Sequence, residues 1–172
     1  KLNLELFDTP SRALEFARQA KSPVDEARAQ GGLGDARFQR GHMRTARDHF
    51  ARCVAEAREH GAVGLALSHA PMLAITRAYC GEIRQGLADL EVAIAAARRV
   101  ADPRSELIGR VAESTIALFC GEHEQVRQTS ERALVLSRQL GARRFEAELL
   151  ALLGHALGEL GGVADAQVLL QQ

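Results

Sequence analysis

Three cysteines and six histidines carry most of the chemistry this 172-residue chain has to offer. His49 and Cys53 stand four apart, a spacing that puts two metal ligands on one face of a helix. No third ligand accompanies them, and Cys53 is expected to behave as a small buried apolar residue. Cys80 and Cys120 each precede a glycine at equivalent places forty residues apart, which points to helix-end packing rather than thiol chemistry. Glu122, His123 and Glu124 gather two carboxylates and an imidazole, but acids are ordinary at a helix start. Ser114 and Thr115 lack a neighbouring His or Asp for nucleophilic work. The run Gly31-Gly32-Leu33-Gly34 fits no phosphate loop and falls inside a helical pattern, where it reads as close packing. The expectation is a chain that is not an enzyme and holds no cofactor or metal.

Composition narrows the partners. Lys+Arg and Asp+Glu are both 22, so no basic excess exists to neutralise phosphates or anionic lipid. That argues for neither a nucleic-acid partner nor a membrane partner. The longest stretch without Asp, Glu, Lys or Arg is 60–76, too short for a span and broken by Ser68, His69 and Pro71. An odd cysteine count without CxxC spacing, and no signal-peptide pattern, place the chain in a reducing cytoplasm. Lys1 and Lys21 are the only lysines, an arginine bias expected of a GC-rich bacterial genome. The start at Lys1 and the end at Gln172, within an apolar pattern, lead to the expectation of a fragment of a longer chain.

Ala, Leu, Arg and Glu dominate, and these residues lose least on entering a helix. Glycines recur at Gly41, Gly81, Gly121 and Gly161, a period of forty. Their neighbours match as well. Leu33-Gly34, Leu73-Ala74 and Leu153-Gly154 stand before them, and the third unit departs with Glu113-Ser114. Ala46, Gly86, Val126 and Ala166 follow at five residues, and Phe50, Leu90, Ser130 and Leu170 at nine. Helical spacing on both sides of each glycine predicts antiparallel hairpins whose apolar faces are covered only by stacking. The first helix is placed at Pro10–Lys21 with Thr9 as its cap. One domain over 1–172 follows, in units of about 24–60, 63–101, 103–140 and 143–172. Pro71 is expected to kink its helix, or to mark a helix that begins near His69.

The order Leu33-Gly34, Gly41, Ala46, Phe50 resembles the tetratricopeptide repeat over residues 24–172, most closely in the first and fourth units. Arg37 and Arg77 stand where that repeat has an aromatic, and the period exceeds its usual length of about 34 residues. The longer unit is similar to helical arrays in large bacterial signalling proteins, which join an ATP-hydrolysing switch to a nucleotide cyclase or a DNA-binding domain. The resemblance implies an all-α, right-handed α-solenoid of antiparallel helix hairpins and a regulatory interaction module. In such arrays the first helices of the hairpins line the concave side. Here the inward places hold Asp35, Phe38, Gln39, Ile75, Tyr79, Thr115, Leu118, Phe119, His155 and Glu159. Tyr79 and Phe119 fall forty apart, in the same place of adjacent units. The expected occupant is a protein or peptide partner, or another domain of the parent chain. The alternative is a receptor for a small peptide or metabolite that alters the curvature of the array. Asp35, His155 and Glu159 are spread apart rather than convergent, which favours the first reading.

Overall fold

This computed structural model describes the backbone of residues 2–170 and the side chains of residues 10–162 and 164–169. The described residues are all-α without strands: α1 (Leu2–Gln19), α2 (Pro23–Gln39), α3 (Met43–Glu59), α4 (Val63–Tyr79), α5 (Ile83–Arg99), α6 (Pro103–Phe119), α7 (His123–Gln139), α8 (Arg143–Glu159) and α9 (Val163–Leu170). From α2 to α8 every helix has 17 residues, and three residues join each to the next.

Each three-residue joint closes one helix and opens another. At the joint after α2, Gly41 N–H donates to Phe38 O at 2.9 Å and His42 N–H to Arg37 O at 3.0 Å. This pairing satisfies the last carbonyls and needs a left-handed residue in the middle. Glycine supplies it at Gly41, Gly61, Gly81, Gly121, Gly141 and Gly161. Two joints lack glycine: Lys21 and Ala101 adopt φ of 52° and 53°. Both are followed two residues later by proline, Pro23 or Pro103, at the start of the next helix. Asp102 adds a cap, with Oδ1 accepting from Ser105 N–H at 3.0 Å and Oδ2 from its hydroxyl at 2.6 Å. Those bonds hold the Asp102 carboxyl below its usual range.

The chain divides into two compact units, Lys1–Asp89 and Leu90–Gln172. In unit 1 each helix packs on its neighbour in sequence, α1 on α2, α2 on α3 and α3 on α4. Gly31 and Gly34 make the close approach possible. A Cβ on Gly34 would stand 2.6 Å from the Phe50 ring, and one on Gly31 would stand 2.4 Å from His69 Nε2. Phe50 is fully buried, with its ring centroid 6.1 Å from that of His69. Ala27, Ala57 and Ala66 complete the contact among α2, α3 and α4. In unit 2, α6, α7, α8 and α9 again pack in sequence around Leu107, Val111, Leu134, Leu149 and Leu153. There Ser130 Oγ donates to Ser114 Oγ at 3.2 Å, both fully buried.

The same five places are buried in α3, α5 and α7: Ala46, Phe50, Cys53, Val54 and Ala57; Gly86, Leu90, Ala93, Ile94 and Ala97; Val126, Ser130, Ala133, Leu134 and Ser137. Ion pairs also recur across joints at a spacing of eight, Arg18–Glu26 at 3.7 Å, Arg98–Glu106 at 2.6 Å and Arg138–Glu146 at 2.7 Å.

Two proline readings are corrected. Helix α1 runs from Leu2, so Pro10 lies inside it rather than at its start, and the side chain of Thr9 falls outside those described. Pro10 faces Gly32 of α2, 3.7 Å from where a Cβ would stand, an ordinary van der Waals separation. Helix α4 crosses Pro71 without a break, so it does not begin near His69. Pro71 removes one ladder donor, to Leu67 O, while its ring is fully buried.

Candidate functional site

The ends of α2 and α4 carry the first half of the expected surface. Phe38 and Tyr79 meet edge to face with ring centroids 6.3 Å apart. Tyr79 remains 50% exposed on the last turn of α4. Each α4 side chain here follows from helical spacing, since Ile75 and Tyr79 are four apart and share a face. Ile75 and Phe38 are half-buried and Gln39 is exposed. Asp35, one turn before Phe38, is half-buried; burial raises its carboxyl above the ordinary range, and the neighbouring His69 partly opposes that.

The second half lies in unit 2. Thr115 is half-buried and turns inward along its own helix, its hydroxyl donating to Val111 O at 2.9 Å. Leu118 packs beside Ala117, Val126 and Ala156 and serves the core. Phe119 is 43% exposed at the end of α6. His155 is exposed, its ring centroid 5.9 Å from that of His123, and Glu159 is exposed at the end of α8. The structure therefore brings Phe38 and Tyr79 together and packs Leu118 against the core.

The residues singled out for chemistry have structural partners. Cys53 is fully buried, and burial pushes its thiol up to about 12, so no thiolate forms near neutrality. His49 Nδ1 meets the buried Gln30 Oε1 at 2.8 Å. Burial, then Arg52 and Arg37, lowers the His49 imidazole and keeps it neutral. Cys80 and Cys120 cap α4 and α6. Glu124 is exposed, and hydrogen bonds from Arg127 and Gln128 hold its carboxyl at about 2. Among the described residues no three His, Cys, Asp or Glu side chains are grouped to hold a metal ion. No described helix is long and apolar enough to cross a membrane.

Sequence reasoning missed two concavities. One, of about 560 Å³, lies between α1 and α2 and is mainly apolar, with Ala13, Phe16 and Ala29 in its wall. The other, of about 290 Å³, lies among α5, α6 and α7 and is lined by arginines. Its residues come from three helices, so no spacing along the chain marks them. The recurring Arg–Glu pairs at eight residues were the one signal available. Comparison with protein-family models and with curated proteins finds no match to this chain.

Proposed function

We propose that this chain is a non-catalytic interaction module of tetratricopeptide type, a right-handed solenoid with a forty-residue period. It acts as a cytoplasmic regulatory region of a larger bacterial signalling protein and holds a protein or peptide partner on its first-helix face. The observation that carries this reading is the Phe38–Tyr79 pair, two aromatic rings in contact yet partly open to solvent at the ends of two first helices. An exposed aromatic anchor is a common centre of binding energy. The matched burial in α3, α5 and α7 and the equal helix lengths support the repeat.

The test is selection of peptides from a displayed random library on the immobilised chain, followed by Tyr79→Ala and Phe119→Ala. Each variant should keep its melting temperature nearly unchanged and lose binding by about 2 kcal/mol. Lost stability with unchanged affinity of the folded fraction would make these rings core and move the binding face to the second helices.

A further inference from the structure

The arginine-lined cavity of unit 2 is built from three helices, and each contributes one guanidinium: Arg98 from α5, Arg110 from α6 and Arg132 from α7. A single carboxylate lies in its wall. Glu106 Oε1 accepts from Arg98 Nε at 2.6 Å and stands 4.0 Å from Arg110 Nε. Arg110 also gives Nη1 to Glu113 Oε2 at 2.6 Å. Arg132 has no acidic partner among the described residues. Even with Glu113 included, three positive charges meet two negative ones.

Donors also remain. A guanidinium carries five N–H groups, and Arg98 uses its Nε here, so its terminal nitrogens stay available beside Arg132. The Arg110 and Glu106 side chains are only 21% and 20% exposed, so the charges at the back of the cavity act through little water. Ala133 and Leu136 line the cavity with carbon. At about 290 Å³ the space suits a small ligand. Arginine forks match the oxygens of phosphate and carboxylate alike. Donors approaching from three helices fit a tetrahedral group with three terminal oxygens better than a planar carboxylate with two.

We propose that this cavity is a binding site for a phosphomonoester on a short carbon skeleton, held by Arg98, Arg110 and Arg132 with its carbon part against Ala133 and Leu136. The group comes either from a phosphorylated side chain or from a free sugar phosphate. Its residues are separate from the aromatic face, so the site stands or falls independently of that surface.

The test is calorimetric titration of the full chain with O-phosphoserine and with ribose 5-phosphate, against serine and ribose at matched ionic strength. Arginine Nε–H signals are followed in parallel. Saturable binding of a phosphorylated probe is expected, with shifts at Arg98 and Arg132. The stronger of the two probes identifies the source. Arg132→Ala should weaken binding by about tenfold or more, with Arg132→Gln as a second variant should alanine disturb packing. Glu106→Gln removes the competing carboxylate and should tighten binding. No saturation by about 10 mM, tenfold above a millimolar affinity, or equal binding by the folded Arg132 variants, would overturn the proposal.

Discussion

In unit 1 the Phe50 ring lies on Gly34, whereas eighty residues later, in unit 2, the matching places hold Ser130 and Ser114. The first arrangement sets a bulky ring into the space of a missing side chain. Gly34 costs α2 about 1 kcal/mol of helix propensity, and burial of Phe50 returns about 1.5–3 kcal/mol. The second arrangement exchanges that apolar area for one hydroxyl–hydroxyl bond, which contributes about 1 kcal/mol net. Both pairs are fully shielded from water. The difference teaches that one hairpin geometry accepts two solutions, one by shape and one by polar pairing, and that the shape solution should be the stiffer.

The largest break in this comparison is Phe50→Ala. It should cost about 3–5 kcal/mol, read as a lower melting temperature and faster amide exchange in α2 and α3. A loss no larger than that of Ser130→Ala would show that the ring adds nothing to the crossing. The comparison is sharpened by moving the unit 1 solution into unit 2. Ser130→Phe alone should destabilise by overpacking, about 1–3 kcal/mol, and Ser114→Gly should relieve it. Their coupling in a double-mutant cycle should fall within about 0.5–3 kcal/mol, and simple additivity would show that the two places do not face each other as in unit 1.

Each unit has one joint without glycine, Lys21 in unit 1 and Ala101 in unit 2, and three with it. Gly81 holds φ of 86° in unit 1, while Ala101 holds 53° in unit 2. Gly81→Val should cost about 1–2 kcal/mol, because a β-branched residue is strained in the left-handed region. Ala101→Gly should do the reverse and stabilise, by less than about 1 kcal/mol after the entropy of the freer unfolded chain is set against it. Thermal melts check both signs, and a destabilised Ala101→Gly would mean the Asp102–Pro103 cap already fixes that joint.

The smallest effect is electrostatic. Burial raises the folded pKa of Asp35 above its unfolded value, so its contribution is full below the ordinary carboxylate range and is lost as pH rises through the folded value. Asp35→Asn should therefore gain on the parent near neutrality, and the gap should close as pH falls towards about 4. A gap that widens on acidification would contradict burial as the dominant cause.

Much of the fold was readable because glycine is a strong marker of joints. The series at Gly41, Gly81, Gly121 and Gly161 located helix ends to within two residues. Lys21 and Ala101 escaped that logic, since nothing in their side chains favours positive φ; only the Pro two residues on betrays the turn. Pro10 misled, because α1 runs through it from Leu2; at Pro71 only the alternative start near His69 fails, because α4 already begins at Val63. Glu113-Ser114 stood out as a departure, but its pairing with Ser130 needed the crossing of two helices to be seen. Of the candidate surface, Phe38 and Tyr79 were placed together by structure, while Leu118 packs partly buried against the core and the Thr115 hydroxyl bonds to its own helix, contacts that helical periodicity does not resolve.

Sequential packing has a kinetic consequence. Because α2 to α4 in unit 1, and α7 to α9 in unit 2, each rest on the helix before them, the loops closed on the way to the native state are short. Low contact order of this kind favours rapid folding, and nucleation is open to either unit. On the ribosome, α2 can dock on α3 and α4 while most of unit 2 is still unmade. The aromatic lock at Phe50 and Gly34 would then close early, and the serine pair of unit 2 would form later, as its own helices emerge.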